Sequence, residues 1–252
     1  MCVVDDDRTI VVAVANKTAE HEGHPDHRAL AGGSTRAGVF GFSDGLVSNV
    51  SLIIGFAAGG VDSSVVRLAG IAAAVAGAAS MAAGEWVSIS AQNELVEREI
   101  ALELRELKLH PGAETSELAA MYRQHGMSAE QAASSAKEVM QNPERAVMVH
   151  AREEFGLDPN HLPNPIQIAM VSLITFLGGA MLPVLPWIFG SGNSAKYASV
   201  VVAVFAAAIA GGAIGQQAER SKVTSAVRQV LIMLLAVGVT YIIGRLVGTT
   251  IN

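Results

Sequence analysis

Cysteine and charge are what this chain lacks most. With Cys2 as its one cysteine, it has no material for an internal disulfide framework, a Cys-based zinc site or an iron–sulfur cluster. Charged residues make up 16% of the 252 positions against 51% hydrophobic ones, where a soluble domain carries about 25% charge. The mean hydropathy is +0.40, which points to a membrane protein. The net charge is −6 and the Lys and Arg residues are scattered, so the chain has no basic stripe to follow a phosphate backbone, and nucleic acid is not an expected partner. There is no strand signal, internal repeat, nucleophile motif, glycine-rich phosphate loop or HExxH. Neither an enzyme nor a prosthetic group is expected.

What is present is a set of long apolar runs. Five are long enough to cross a hydrocarbon core of about 30 Å at about 1.5 Å per residue, near 37–60, 64–92, 166–189, 195–217 and 226–249. Gly55 with Gly59 and Gly211 with Gly215 put small residues four apart, which permits close helix approach in lipid. Pro183 and Pro186 should kink or end the third span, beside Trp187 as an interfacial anchor. Counting Lys and Arg in the flanks sets the orientation. The N-terminal tail, the polar stretch 93–158 and the linker at Arg220, Lys222 and Arg228 hold 14 of the 17, so the N-terminus and that stretch are expected in the cytoplasm and the C-terminus on the other side.

Residues 1–36 read as a largely disordered cytoplasmic tail. Its opening, MCVVDDDRTIVVAVA, places acids before a short apolar run, the reverse of a secretory signal. His21, His24 and His27 form a tract suited to loose metal binding, with Pro25 interrupting any regular helical face. Residues 37–92 then hold the first two spans, 93–162 a polar helical module, and 163–252 the last three spans. Within the module, the second span runs on without a breaker to His110, Pro111 and Gly112. A helix near 114–125 stops at Gly126. Ser128 with Gln131 makes a capping box for a helix near 128–141, and Asn142 with Pro143 opens one that ends at Gly156.

Two groups of residues could carry chemistry. Asp44 lies about two turns into the first span, and Met81 and Glu85, four apart on one helical face, lie at a similar depth in the second. Ionisable groups in membrane helices usually face a bundle interior or a water-filled path. The competing reading has Asp44 capping a helix that starts later and Glu85 paired with Arg36 or Arg98. In the module, Glu99, Glu103 and Glu106 share a face, and Glu114 and Glu117 follow across a tight turn. Glu153 and Glu154, near Met148 and His150, could close the group. Clustered carboxylates with an imidazole or sulfur suit divalent first-row metals. Solvated glutamates paired with Arg98, Arg105 and Lys108 are the alternative on spacing alone.

The elements GFSDGLVSNVSLIIGFAAG in the first span and SMAAGEWVS in the second, with a Glu-rich module between the second and third of five spans, resemble the vacuolar iron transporter family over about residues 36–250. The resemblance implies an all-α polytopic membrane protein, a homodimer with its path between the two first spans, and export of Fe²⁺ or Mn²⁺ from the cytosol in exchange for protons. It implies Asp44, Met81 and Glu85 on the path and Glu103, Glu106, Glu114, Glu117 and Glu154 as metal ligands. Plant-type members have paired methionines where this chain has His150 and Ala151, so Met148 or His150 is the candidate substitute. The acidic tail without a targeting signal suits a bacterial plasma membrane, or a vacuolar membrane if the source is eukaryotic. A membrane-anchored metal sensor or scaffold is the alternative function. The paired Glu-x-x-His motifs of a di-iron oxidase are missing.

Overall fold

The computed structural model describes residues 33–156 and 162–251, and every regular element among them is helical. The His21, His24 and His27 tract lies outside the described residues. Helix α1 (Gly33–Ala58) starts four residues before the expected boundary at 37. It ends at Gly59 and Gly60, where Gly60 turns the chain with a φ of 81°, a backbone conformation that L side chains resist.

Helix α2 (Ser63–Leu109) is 47 residues long, or about 70 Å, more than twice a hydrocarbon core of about 30 Å. Its first part is apolar. From about residue 93 its sequence turns polar, and this outer part forms a wall of the polar module. Helices α3 (Pro111–Gln124), α4 (Ala129–Met140) and α5 (Pro143–Phe155) complete that module.

The module's punctuation works as its residues require. Ser128 and Gln131 form the reciprocal capping box, with both bonds 3.3 Å long. Asn142 Oδ1 accepts the Arg145 N–H at 3.1 Å, and Gly156 ends α5 in the left-handed region. A small core of Leu118, Ala136, Val139 and Ala146, joined by Leu107 of α2, holds the helices together.

The third span is broken as its prolines require: α6 (Pro165–Met181), a 3-10 turn at Leu182–Val184, then α7 (Leu185–Phe189). Trp187 is not an interfacial anchor. The bent segment turns it inward against Ile53, Val66, Val184 and Ala195, and its backbone carbonyl accepts a bond from Arg67. Helices α8 (Gly192–Gln217) and α9 (Lys222–Ile251) follow.

Helix α1 is the axis of the bundle, packing most extensively on α6 and α9 and also on α2 and α8. Glycine permits the closest approaches. A Cβ at Gly45 would collide with the Phe176 carbonyl of α6, and one at Gly179 with the Phe42 carbonyl of α1. Gly55 and Gly59 meet Gly244 and Gly248 of α9, while Gly211 and Gly215 of α8 meet Ser225. Without a hydrophobic drive between helices in lipid, such backbone proximity supplies the packing energy.

The outer surface is apolar. Phe205, Ile209 and Leu235 are well exposed, the last at 72%. In water, so much apolar surface would drive association; in a bilayer it is the solvated face. Five helices are long and apolar enough to cross a membrane.

Candidate metal centre

The module gathers a cluster from three helices, buried except at Glu154. Helix α5 presents His150 and Glu154 four apart on one face, the outer part of α2 presents Glu103, and the first turn of α3 presents Glu114. The sharp turn at Pro111 folds α3 back so that its first acid lies beside Glu103. His150 is 0% exposed, and Glu103 and Glu114 are buried beside it. His150 Nδ1 lies 3.0 Å from Glu103 Oε1 and 3.7 Å from Glu114 Oε2. Yet both ring nitrogens and Glu103 Oε1 are buried without a hydrogen-bond partner, so proximity here is not accompanied by aligned bonding. Glu103, His150 and Glu154 each offer an atom within 4.8 Å of the others. Metal–ligand bonds of roughly 2.0–2.2 Å bring donors about this close around one ion.

Electrostatics make the cluster costly when empty of cations. Burial, then Glu114, Glu154 and Glu117, and a hydrogen bond with Glu114 push the Glu103 carboxyl up to about 7. Glu154 is raised as well, by burial and then by Glu117, Glu114 and Glu99. His150 is lowered, because burial disfavours its charged form more than Glu114 and Glu117 favour it. A neutral imidazole among carboxylates that resist ionisation is a donor set that a divalent cation satisfies.

Not every expected module residue joins. Glu106 is half-exposed, 3.8 Å from His110. Glu153 turns to His125 at 3.2 Å instead of toward the cluster. Met148, two positions before His150, projects about 200° around the helix from it. Among the described residues, Arg98, Arg105 and Lys108 form no ion pair with these glutamates.

A second feature lies within the spans. Asp44 sits eleven residues inside α1, so it does not cap a later-starting helix. With Met81, Ser48, Asn49, Ser80 and Phe176 it lines a cavity of about 400 Å³ between α1, α2 and α6. From Asp44 and Ser48 a second cavity of about 610 Å³ opens toward Thr240 on α9. Glu85, one turn from Met81 toward the module, is outside the first cavity's lining and forms no ion pair with Arg36 or Arg98 among the described residues. Asn49, Ser48 and Ser80 were not singled out by spacing. Asn49 had one legible signal, an amide within a candidate membrane-spanning helix.

Comparison with known proteins covers nearly the same stretch. Residues 35–245 match the sequence profile of the VIT family. The vacuolar iron transporter of Centaurea cyanus is 29% identical over 84% of this chain and 87% of its own length. Vacuolar iron transporter 1 of Oryza sativa subsp. japonica is 28% identical over 94% of this chain and 95% of its own. VIT-like transporter 1b of Glycine max is 30% identical over 85% and 76%.

Proposed function

This chain belongs to the VIT family, and from that premise we propose that it carries ferrous iron, and manganese as a second substrate, out of the cytosol in exchange for protons. The observation that carries this reading is the buried cluster in which the His150 nitrogens and Glu103 Oε1 have no partner. Such atoms are expensive to bury unsatisfied, and a divalent cation from the cytosol satisfies Glu103 Oε1 and one of the two ring nitrogens. The relatives named as iron transporters support iron as the cargo.

The module is the collector. Glu103, with its carboxyl near 7, releases its proton to water when a cation takes its place at neutral pH. Glu103, Glu114, His150 and Glu154 hold the ion, with Glu117 adding negative potential. Glu106 is the remaining carboxylate that the family pattern supplies. The nitrogen in place of sulfur keeps the site open to manganese, since imidazole and carboxylate serve both ions.

The Asp44–Met81 cavity is the entrance to the path. A carboxylate there takes a cation or a proton, and one site that accepts either in turn couples opposite fluxes. Asp44 is exposed on the single chain, which in lipid is costly, and a second copy against that face of α1 removes the cost. The working form is accordingly a homodimer with the path between the two first spans. It sits with the module in the cytoplasm, in a bacterial plasma membrane or in a vacuolar membrane if the source is eukaryotic.

Uptake of Fe²⁺ or Mn²⁺ into sealed proteoliposomes under a pH gradient tests the proposal. Uptake by the parent that is lost in Asp44→Ala is the expected result. Metal binding without uptake in the parent would instead identify a membrane-anchored sensor.

A further inference from the structure

The cavity beneath Asp44 has a property that its carboxylate alone does not explain. At its inner end Asn49 is 2% exposed, and its amide is clamped. Nδ2 donates to the Ala180 carbonyl of α6 at 2.6 Å and to the Gly70 carbonyl of α2 at 3.1 Å. Flipping the amide would set Oδ1 against two carbonyl oxygens, so the backbones of two neighbouring helices decide its orientation. Both donors are thereby used and Oδ1 has no partner. Ser48 beside it spends its hydroxyl hydrogen on the Asp44 carbonyl at 2.6 Å. Asp44, Ser48, Asn49 and Met81 all line the cavity; each carries acceptor lone pairs, Asn49 Oδ1 lies buried just behind the lining, and neither Ser48 nor Asn49 has a hydrogen left to give. Such a lining repels anions and accepts cations.

We propose that Asn49 Oδ1 is a neutral oxygen ligand for the transported cation, a station about 7.5 Å deeper along α1 than Asp44. The inference rests on the transport reading above. Charge explains the residue type. A divalent ion leaving Asp44 meets an uncharged oxygen that holds it weakly enough to release it, whereas a second carboxylate would trap it. Position adds a filter. Oδ1 is closed to water in this conformation, so an ion reaches it only after shedding hydration, which Mg²⁺ does reluctantly.

The test compares Mn²⁺ and Cd²⁺ uptake by the full chain in sealed liposomes for the parent, Asn49→Ala and Asn49→Cys. Alanine removes clamp and ligand together, and both uptakes fall. Cysteine loses the same carbonyl clamp but offers a soft sulfur, so the Cd²⁺-to-Mn²⁺ ratio rises roughly fivefold or more over parent and alanine. A purely structural clamp lowers both metals equally in the two variants, and an unchanged ratio overturns the proposal. If Asn49→Cys fails to assemble, Asn49→Thr decides. Threonine keeps an oxygen and one donor, and should retain the parent's ratio with uptake above alanine's; uptake no better than alanine's overturns the inference. A parent that moves neither metal, nor Fe²⁺ in the same liposomes, defeats the transport reading and this one together. A working parent, an inactive Asp44→Ala and ratio-preserving Asn49 variants defeat this one alone.

Discussion

His150 Nδ1 stands 3.0 Å from Glu103 Oε1, and neither atom makes a hydrogen bond. Burial and the neighbouring glutamates keep the Glu103 carboxyl protonated up to about pH 7, and on the proposed reading an arriving cation displaces that proton.

Glu103→Gln should stabilise the metal-free protein at high pH. The folded-state pKa of Glu103 is raised from 4.5 to about 7, so its stabilising contribution is present below the unfolded value and lost as pH rises through about 7. The gain in melting temperature of Glu103→Gln over the parent should be near zero at pH 4.5 and largest at pH 8. His150, with a lowered pKa, acts oppositely, since its contribution is present above 6.5 and lost as pH falls through the folded value. It is common to both proteins and cancels to first order in the difference. Thermal scans from pH 4.5 to 8 check this, and a gain that shrinks with rising pH contradicts it.

His150→Ala should weaken Mn²⁺ binding by at least about tenfold, the smaller of the losses typical even for outer-shell partners. His150→Met should lower Mn²⁺ affinity similarly while leaving Cd²⁺ within about threefold of the parent, because a thioether is the softer donor. Calorimetric titration of the full chain in detergent measures both.

Asp44→Ala should lose about tenfold or more in metal uptake with the module's affinity unchanged. On the proposed reading the Asp44 carboxylate serves passage, whereas the metal cluster is built from α2, α3 and α5. A joint loss of binding and uptake would mean that the two sites are one cooperative unit.

Gly244→Ala should cost about 1–3 kcal/mol, the range for forcing a methyl into packed space, since its Cβ would collide with the Gly55 carbonyl. Gly238→Ala on the same helix meets open space and should be neutral. Thermal unfolding of both in one detergent makes the comparison.

Local chemistry carried much of the architecture. Ser128, Gln131, Asn142, Pro143 and Gly156 delimit the module helices because caps and breakers act within a few residues. Pro183 and Pro186 break the third span for the same reason. Trp187 went the other way: its side chain has both an apolar body and a polar tip, and only the bend after α6 determined that it points inward. Spacing likewise put Glu99, Glu103 and Glu106 on one face without saying which part of that face would be covered.

By itself, then, the sequence determined the five apolar spans, the continuous α2, the inserted module and the carboxylates available to it, because hydropathy, capping and helical period are short-range properties of the chain. Only the tertiary structure decided that Glu103, Glu114, His150 and Glu154 converge while Glu106 and Glu153 turn to other histidines, and that Asn49 has its donors taken and its oxygen left over. Those outcomes depend on how α3 and α5 fold back on α2, and on the carbonyls of Gly70 and Ala180 meeting one amide. Such contacts join residues up to 131 positions apart, beyond the reach of any local pattern.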